Sequence, residues 1–144
     1  MLNEKELLIL SHLRENSRES LAEISRKTGI AVTTVYDILH RLKRKNVVDR
    51  YVTLLDFPKM GFSVRVNLVL KTDKKTELIN FLKNNPNINS IHKITNGDGF
   101  LVDAVFRNLI EYEFFKEDIE KFELMTFKEH YIIDEIKREG LNIL

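Results

Sequence analysis

Apolar and polar residues alternate along this chain with two different periods, and the period changes near residue 60. Before that point the spacing is helical. Leu7, Leu10 and Leu13 recur at three-residue intervals behind Asn3 and Glu6, a pair that fits a capping box in which side chains satisfy otherwise orphan amides. Asn16-Ser17-Arg18 breaks the pattern. Ser20-Leu21-Ala22-Glu23 repeats the capping signature and opens a short second helix that Thr28-Gly29 closes, with Gly29 suited to a left-handed exit. A third helix is expected from about Val32 to Lys45. Val35, Ile38, Leu39 and Leu42 form its buried face, and Thr33, Thr34, Tyr36, Asp37, His40, Arg41 and Arg44 are left to solvent. The β-branched stretch Val47 to Leu55 predicts a strand or short wing, and Asp56-Phe57-Pro58-Lys59-Met60-Gly61 a turn-rich linker.

Beyond the linker the period falls to two. Ser63 to Lys71 alternates with Val64, Val66, Leu68 and Leu70 on one face, which predicts a strand. Lys74 to Asn84 is amphipathic at helical spacing, and Asn85-Pro86-Asn87 turns the chain into a strand over Ile88 to Thr95. Asn96-Gly97-Asp98-Gly99 is a hairpin signal before a return strand from Phe100 to Arg107. A helix from Leu109 to Phe122 and a strand from Thr126 to Ile133 complete the order βαββαβ, the ferredoxin-like arrangement. The fold class expected is α+β. Its domains are a helix-turn-helix over 1–50, a linker strand and turn over 51–61, the βαββαβ domain over 62–136, and a tail over 137–144. Helices would cover one face of the sheet. The other face is expected to carry Val69, Ile91, Leu101 and Val105 among polar residues, and a second copy of the chain is its simplest cover; an ordinary half-apolar surface is the bland reading.

Composition narrows the chemistry. The 144 residues include no cysteine, which excludes disulfides, thiolate zinc sites and cysteine nucleophiles. His12, His40, His92 and His130 are dispersed without metal-ligand spacing, so no metal, cofactor or catalytic residue is expected. No apolar run approaches the roughly 20 residues of a membrane helix. The start lacks the basic-then-apolar order of a signal peptide, and a cytoplasmic protein is expected.

Net charge is only +1, but its distribution is uneven. Residues 1–50 carry ten Lys/Arg against seven Asp/Glu, and residues 51–144 carry thirteen against fifteen. DNA binding needs a local positive face rather than a positive whole, and Arg41-Leu42-Lys43-Arg44-Lys45 supplies one. Cations at a helix C-terminus are also favoured by its dipole, so the tract alone has a bland reading too. The span Leu21 to Leu42 tips the balance. Ser25 is small where two helices must approach, Gly29 stands four residues later at the turn, and Ile24, Ile30, Val35 and Ile38 fall at core positions. This is the spacing of a helix-turn-helix, whose third helix would lie in the major groove of double-stranded DNA. The expected DNA-binding residues are Thr33, Thr34, Tyr36, Asp37, His40, Arg41, Lys43, Arg44 and Lys45.

Over nearly its whole length the chain resembles the Lrp/AsnC (leucine-responsive, or feast/famine) regulators. Leu2 to Leu10 is similar to the family's L-D-x-x-D-x-x-I-L opening, and Ser17-Arg18-Glu19-Ser20 with Ala22-Glu23-Ile24 to its R-x-S-x-x-E-L-A segment. Thr34-Val35 and Arg41-Leu42 match the recognition-helix pattern, and Tyr51 to Asp56 followed by Gly61 resembles the linker strand. The resemblance implies a winged helix-turn-helix followed by a RAM-type regulatory domain. It also implies a homodimer, octamers of the kind relatives form, an inverted-repeat operator and an amino-acid effector at the loop Thr95, Asn96, Gly97 and Asp98. The chain departs from the pattern at Ala31, where relatives carry a capping Ser, and at Asp37 and Ile38, where Arg is frequent. It departs again at Glu129, where a small hydroxyl residue is common. Two rival readings are a siroheme-decarboxylase-like enzyme and a sensing or interaction protein with an inactive DNA-binding half. The first is disfavoured because Asp49-Arg50-Tyr51-Val52-Thr53 stands where such enzymes carry an R-R-I-G-A-like segment.

Overall fold

The computed structural model describes residues 1–95, 97 and 99–144. The chain divides into two compact units, one formed by residues 1–54 with 137–144 and the other by residues 55–136.

The first unit is three helices, α1 (Glu4–Glu15), α2 (Leu21–Thr28) and α3 (Val32–Arg44). Asn3 and Glu6 form the full capping box on α1, each side chain accepting from the other's amide at 2.9 Å. On α2 only half of the expected box forms. Ser20 accepts from the Glu23 amide at 3.1 Å, while the Glu23 carboxylate pairs with Arg26 at 2.8 Å. Gly29 closes α2 at φ 73°, where a Cβ would be strained. The core is Ile9, Ile24, Ile30, Val35, Ile38, Leu39 and Leu42, with Leu2, Leu8, Leu10 and Leu13 packed against it. The phase of α1 thus differs from the expected Leu7–Leu10–Leu13 stripe: Ile9 is the buried centre and Leu7 lies outside the cluster. An unbroken run Leu7-Leu8-Ile9-Leu10 offers no polar position from which to read a phase.

The strand expected within 47–55 does not form. A β-strand needs a ladder partner, and the described residues supply none. Val52 and Leu54 stay 60% and 52% exposed despite their β propensity. In the tail, Arg14 of α1 donates to the Glu139 carboxylate at 3.3 Å and to its backbone carbonyl at 3.0 Å.

The second unit begins with a single 3-10 turn, Pro58–Met60. There follow β1 (Val64–Lys71), α4 (Lys75–Asn84), β2 (Ile88–Lys93), β3 (Phe100–Phe106), α5 (Leu109–Glu120) and β4 (Thr126–Tyr131). The sheet order is β2-β3-β1-β4, antiparallel throughout, which is the ferredoxin-like topology. Val64, Val66, Leu68 and Leu70 of β1 pack with Val102, Ala104 and Phe106 of β3 under Leu78, Leu82, Tyr112, Phe115 and Ile119 of the helices.

Two expectations for the open sheet face are corrected. Ile91 pairs with Val102 and packs on the helix-side core. The register slips between Ile88 and Ser90, so Ile88 and Ile91, three residues apart, reach the same face. Val105 does lie on the open face, opposite Arg65, but is already buried within its own unit. Val69 and Leu101 face each other across β1 and β3 and remain partly exposed. On the same face Arg65 makes a two-pronged pair with Asp103, at 2.9 and 2.8 Å, and a further bond to Glu135. Its guanidinium also lies 5.5 Å from the centre of the Phe57 ring. One side chain of β1 therefore holds both the segment entering this unit and the segment leaving it.

Candidate nucleic-acid interface

The buried positions of α3 fix its orientation. With Val35, Ile38, Leu39 and Leu42 in the core, a helix of 3.6 residues per turn must turn its opposite side outward. Along the middle of that side run Thr33, Asp37, His40 and Arg44, all exposed. Tyr36 and Lys43 flank the line on one side, and both are exposed; Thr34, Arg41 and Lys45 flank it on the other. Thr34 and Arg41 are only half-exposed. The nine residues expected to meet DNA therefore form one surface, of which six make the central stripe and its open flank.

Local interactions order that surface. The rings of Tyr36 and His40 stack with centroids 5.9 Å apart and planes 11° from parallel. Lys43 sits 4.8 Å above the Tyr51 ring, tying the last turn of α3 to the segment that follows. Beside Tyr51, Arg50 projects with 77% of its side chain exposed, a cation at the helix exit that the sequence reading did not include. Its signal was present as a basic residue next to an aromatic, but it was read as part of a strand.

Arg41 behaves differently from its neighbours. It donates to the Glu6 carboxylate at 2.6 Å, bracing α3 against α1. Glu6 is buried, and its carboxyl is held below the ordinary value by the Asn3 amide first and by Arg41 second. The sequence reading assigned Asn3 and Glu6 a capping role alone, because nothing local marks a partner 35 positions away. The first turn of α3 has no side-chain cap at Ala31, as its methyl side chain dictates.

Of the expected effector loop, Thr95 and Gly97 are described, and Asn96 and Asp98 lie outside the described residues. Gly97 is held at φ 108°, and a Cβ there would come within 3.0 Å of Lys71 Nζ. On β4, Glu129 faces the helices opposite Leu68, accepts from the Tyr112 hydroxyl and has Lys116 3.9 Å away. Burial, then the Glu129 carboxylate, pushes the Tyr112 phenol upward and keeps it the donor. Among the described residues no cluster of three or more His, Asp or Glu could hold a metal. Nor, among the described residues, is any helix long and apolar enough to cross a membrane.

Residues 2–49 match the winged helix-turn-helix DNA-binding family. An HTH-type transcriptional regulator of Pyrococcus furiosus, uncharacterised by name, is 27% identical over 116 residues, covering 79% of this chain and 74% of its own. A transcriptional regulator of Neisseria meningitidis, solved in complex with L-Met, superposes with a TM-score of 0.86 at 19% identity, covering 96% of this chain and 94% of that one. An AsnC family transcriptional regulator of Agrobacterium tumefaciens gives 0.85 at 20% identity, with 97% and 95% covered. Residues 2–49 are thus a helix-turn-helix domain of the winged DNA-binding kind. The fold of the whole chain, three helices followed by a βαββαβ unit, is that of the Lrp/AsnC regulators.

Proposed function

We propose that this chain is a sequence-specific transcription regulator of the Lrp/AsnC type that inserts α3 into the major groove. It works as a homodimer on inverted-repeat operators and responds to an amino acid. The exposed stripe of α3 carries this reading. Side chains suited to base edges (Thr33, Tyr36, Asp37, His40) occupy its N-terminal half and middle, and exposed cations (Lys43, Arg44, Lys45) its exit. That division matches the two tasks of a DNA-binding helix, since base edges specify and phosphates position. Pairing supports the dimer: one helix-turn-helix makes few base contacts, whereas two held at a fixed spacing bind with a high effective concentration. Val69 and Leu101 are the apolar contact available on the open sheet face. The L-Met complex of the Neisseria protein supports an amino acid as the class of effector; the loop that includes Thr95 and Gly97 is the place proposed for it on the resemblance alone. The relatives reported above are named as regulators, which supports this reading over a decarboxylase.

An electrophoretic shift with the DNA upstream of the protein's own coding sequence, run across a salt series, tests the reading. Wild type should bind with a steep salt dependence, and Lys43→Ala with Arg44→Ala should each flatten the log–log slope by about 1. An unchanged slope and affinity in the double variant would make the basic exit of α3 mere solvated surface.

A further inference from the structure

α3 carries one acidic residue, Asp37, in the centre of its exposed stripe. Its natural partner is Arg41, because an acid four residues before a base is the favoured helical ion pair. Glu6 takes that partner away: Arg41 is turned toward α1 and bonded at 2.6 Å, and Glu6 is fixed in turn by the Asn3 amide at 2.9 Å. Among the described residues Asp37 makes no hydrogen bond and no ion pair. The fold therefore presents a bare carboxylate on the face that meets DNA, with Tyr36 and His40 stacked beside it.

Such a group is costly against a polyanion unless the groove offers a donor. Along the major-groove edge, guanine shows the acceptors N7 and O6 and thymine the acceptor O4, all of which repel a carboxylate. Adenine offers its N6 amino group, but with the N7 acceptor on the same edge. Cytosine offers its N4 amino group with no acceptor beside it. Building on the reading of α3 as the DNA-reading helix, we infer that Asp37 is a specificity-determining residue. It requires cytosine at one position of each operator half-site and acts as much by rejecting other sequences as by binding the right one. Lys43, Arg44 and Lys45 supply affinity for any duplex, and Asp37 withdraws it wherever cytosine is missing.

The test is selection of binding sites from a random duplex library by the full-length protein, with wild type, Asp37→Ala and Asp37→Asn compared. Affinity for random duplex is measured alongside at fixed salt. Wild type should select half-sites with one invariant cytosine, whose replacement weakens binding roughly ten- to hundred-fold. Asp37→Ala should lose that preference and bind random duplex several-fold more tightly. Asp37→Asn, which can donate to N7 and accept from N6, should move the preference at that position toward adenine. Asp37 is exposed and unpaired, so circular dichroism should show all three proteins equally folded. If the alanine variant selects the same cytosine and merely binds every sequence less well, the inference is overturned. If wild type shifts no duplex at all, the reading of α3 as the DNA helix falls first and takes this inference with it.

Discussion

Glu6, Glu19 and Glu23 show how much of the helix-turn-helix is held by carboxylates. Each has its carboxyl held below the ordinary value of 4.5: Glu6 by the Asn3 amide and then Arg41, Glu19 by Lys27 and then His12, Glu23 by Arg26. A carboxyl more acidic in the folded than in the unfolded chain stabilises the fold fully above the unfolded value. It loses that contribution as pH falls through the folded one. Thermal stability of the first unit should therefore hold from neutrality to about pH 5 and fall steadily below 4.5. Glu6→Gln should lower the melting temperature at pH 7 and make the decline below pH 4.5 shallower. Melting followed by circular dichroism across pH checks both, and equal pH profiles for the two proteins would remove Glu6 from the account. At this scale the sequence showed much of the site. The outward residues of α3 follow from the periodicity of its core, and Ala31 could not cap whatever surrounded it. Arg41 is expected from sequence to meet DNA, and its bond to Glu6 is not legible there, because that partner is distant in sequence and also serves as a cap.

Among the elements, legibility depended on whether the pattern was set locally. β1 reads directly, since Val64, Val66, Leu68 and Leu70 fall at every second position, three of the four residues between and after them being polar, through a central strand buried on one face. β2 does not, because its phase turns on the slip at Asn89, whose side chain bonds to Asp103 of the neighbouring strand at 2.8 Å. No property of Asn89 in isolation announces that slip. Residues 47–55 fail in the opposite direction, with strand composition and no pairing strand among the described residues. Of the four apolar residues expected on the open side, Val69 and Leu101 are the two that lie there partly exposed. If the proposed dimer forms through this face, Leu101→Glu should sediment as a monomer at micromolar concentration where wild type sediments as a dimer, and lose preference for paired half-sites, with the helices intact. A variant that still sediments as wild type would move the contact elsewhere.

For the whole molecule, two separate hydrophobic cores stand on one chain, the first formed by residues 2–48 alone, although residues 137–144 belong to the same compact unit. The chain enters the second unit beside Phe57 and leaves beside Glu135, and both segments touch the same guanidinium, Arg65. In engineering terms the βαββαβ unit is an insert with its two cut points side by side, the geometry that tolerates excision and circular permutation. Residues 55–136 expressed alone should melt in a single cooperative transition, and joining residue 136 back to residue 55 through a short glycine-serine linker, with new ends opened between β2 and β3, should preserve it. Arg65→Met should fray both cut points, seen as faster amide exchange at residues 56–62 and 132–136 than in the interior strands. A piece that begins and ends at one place can be lifted out of one chain and spliced into another at a single point, with neither fold cut through.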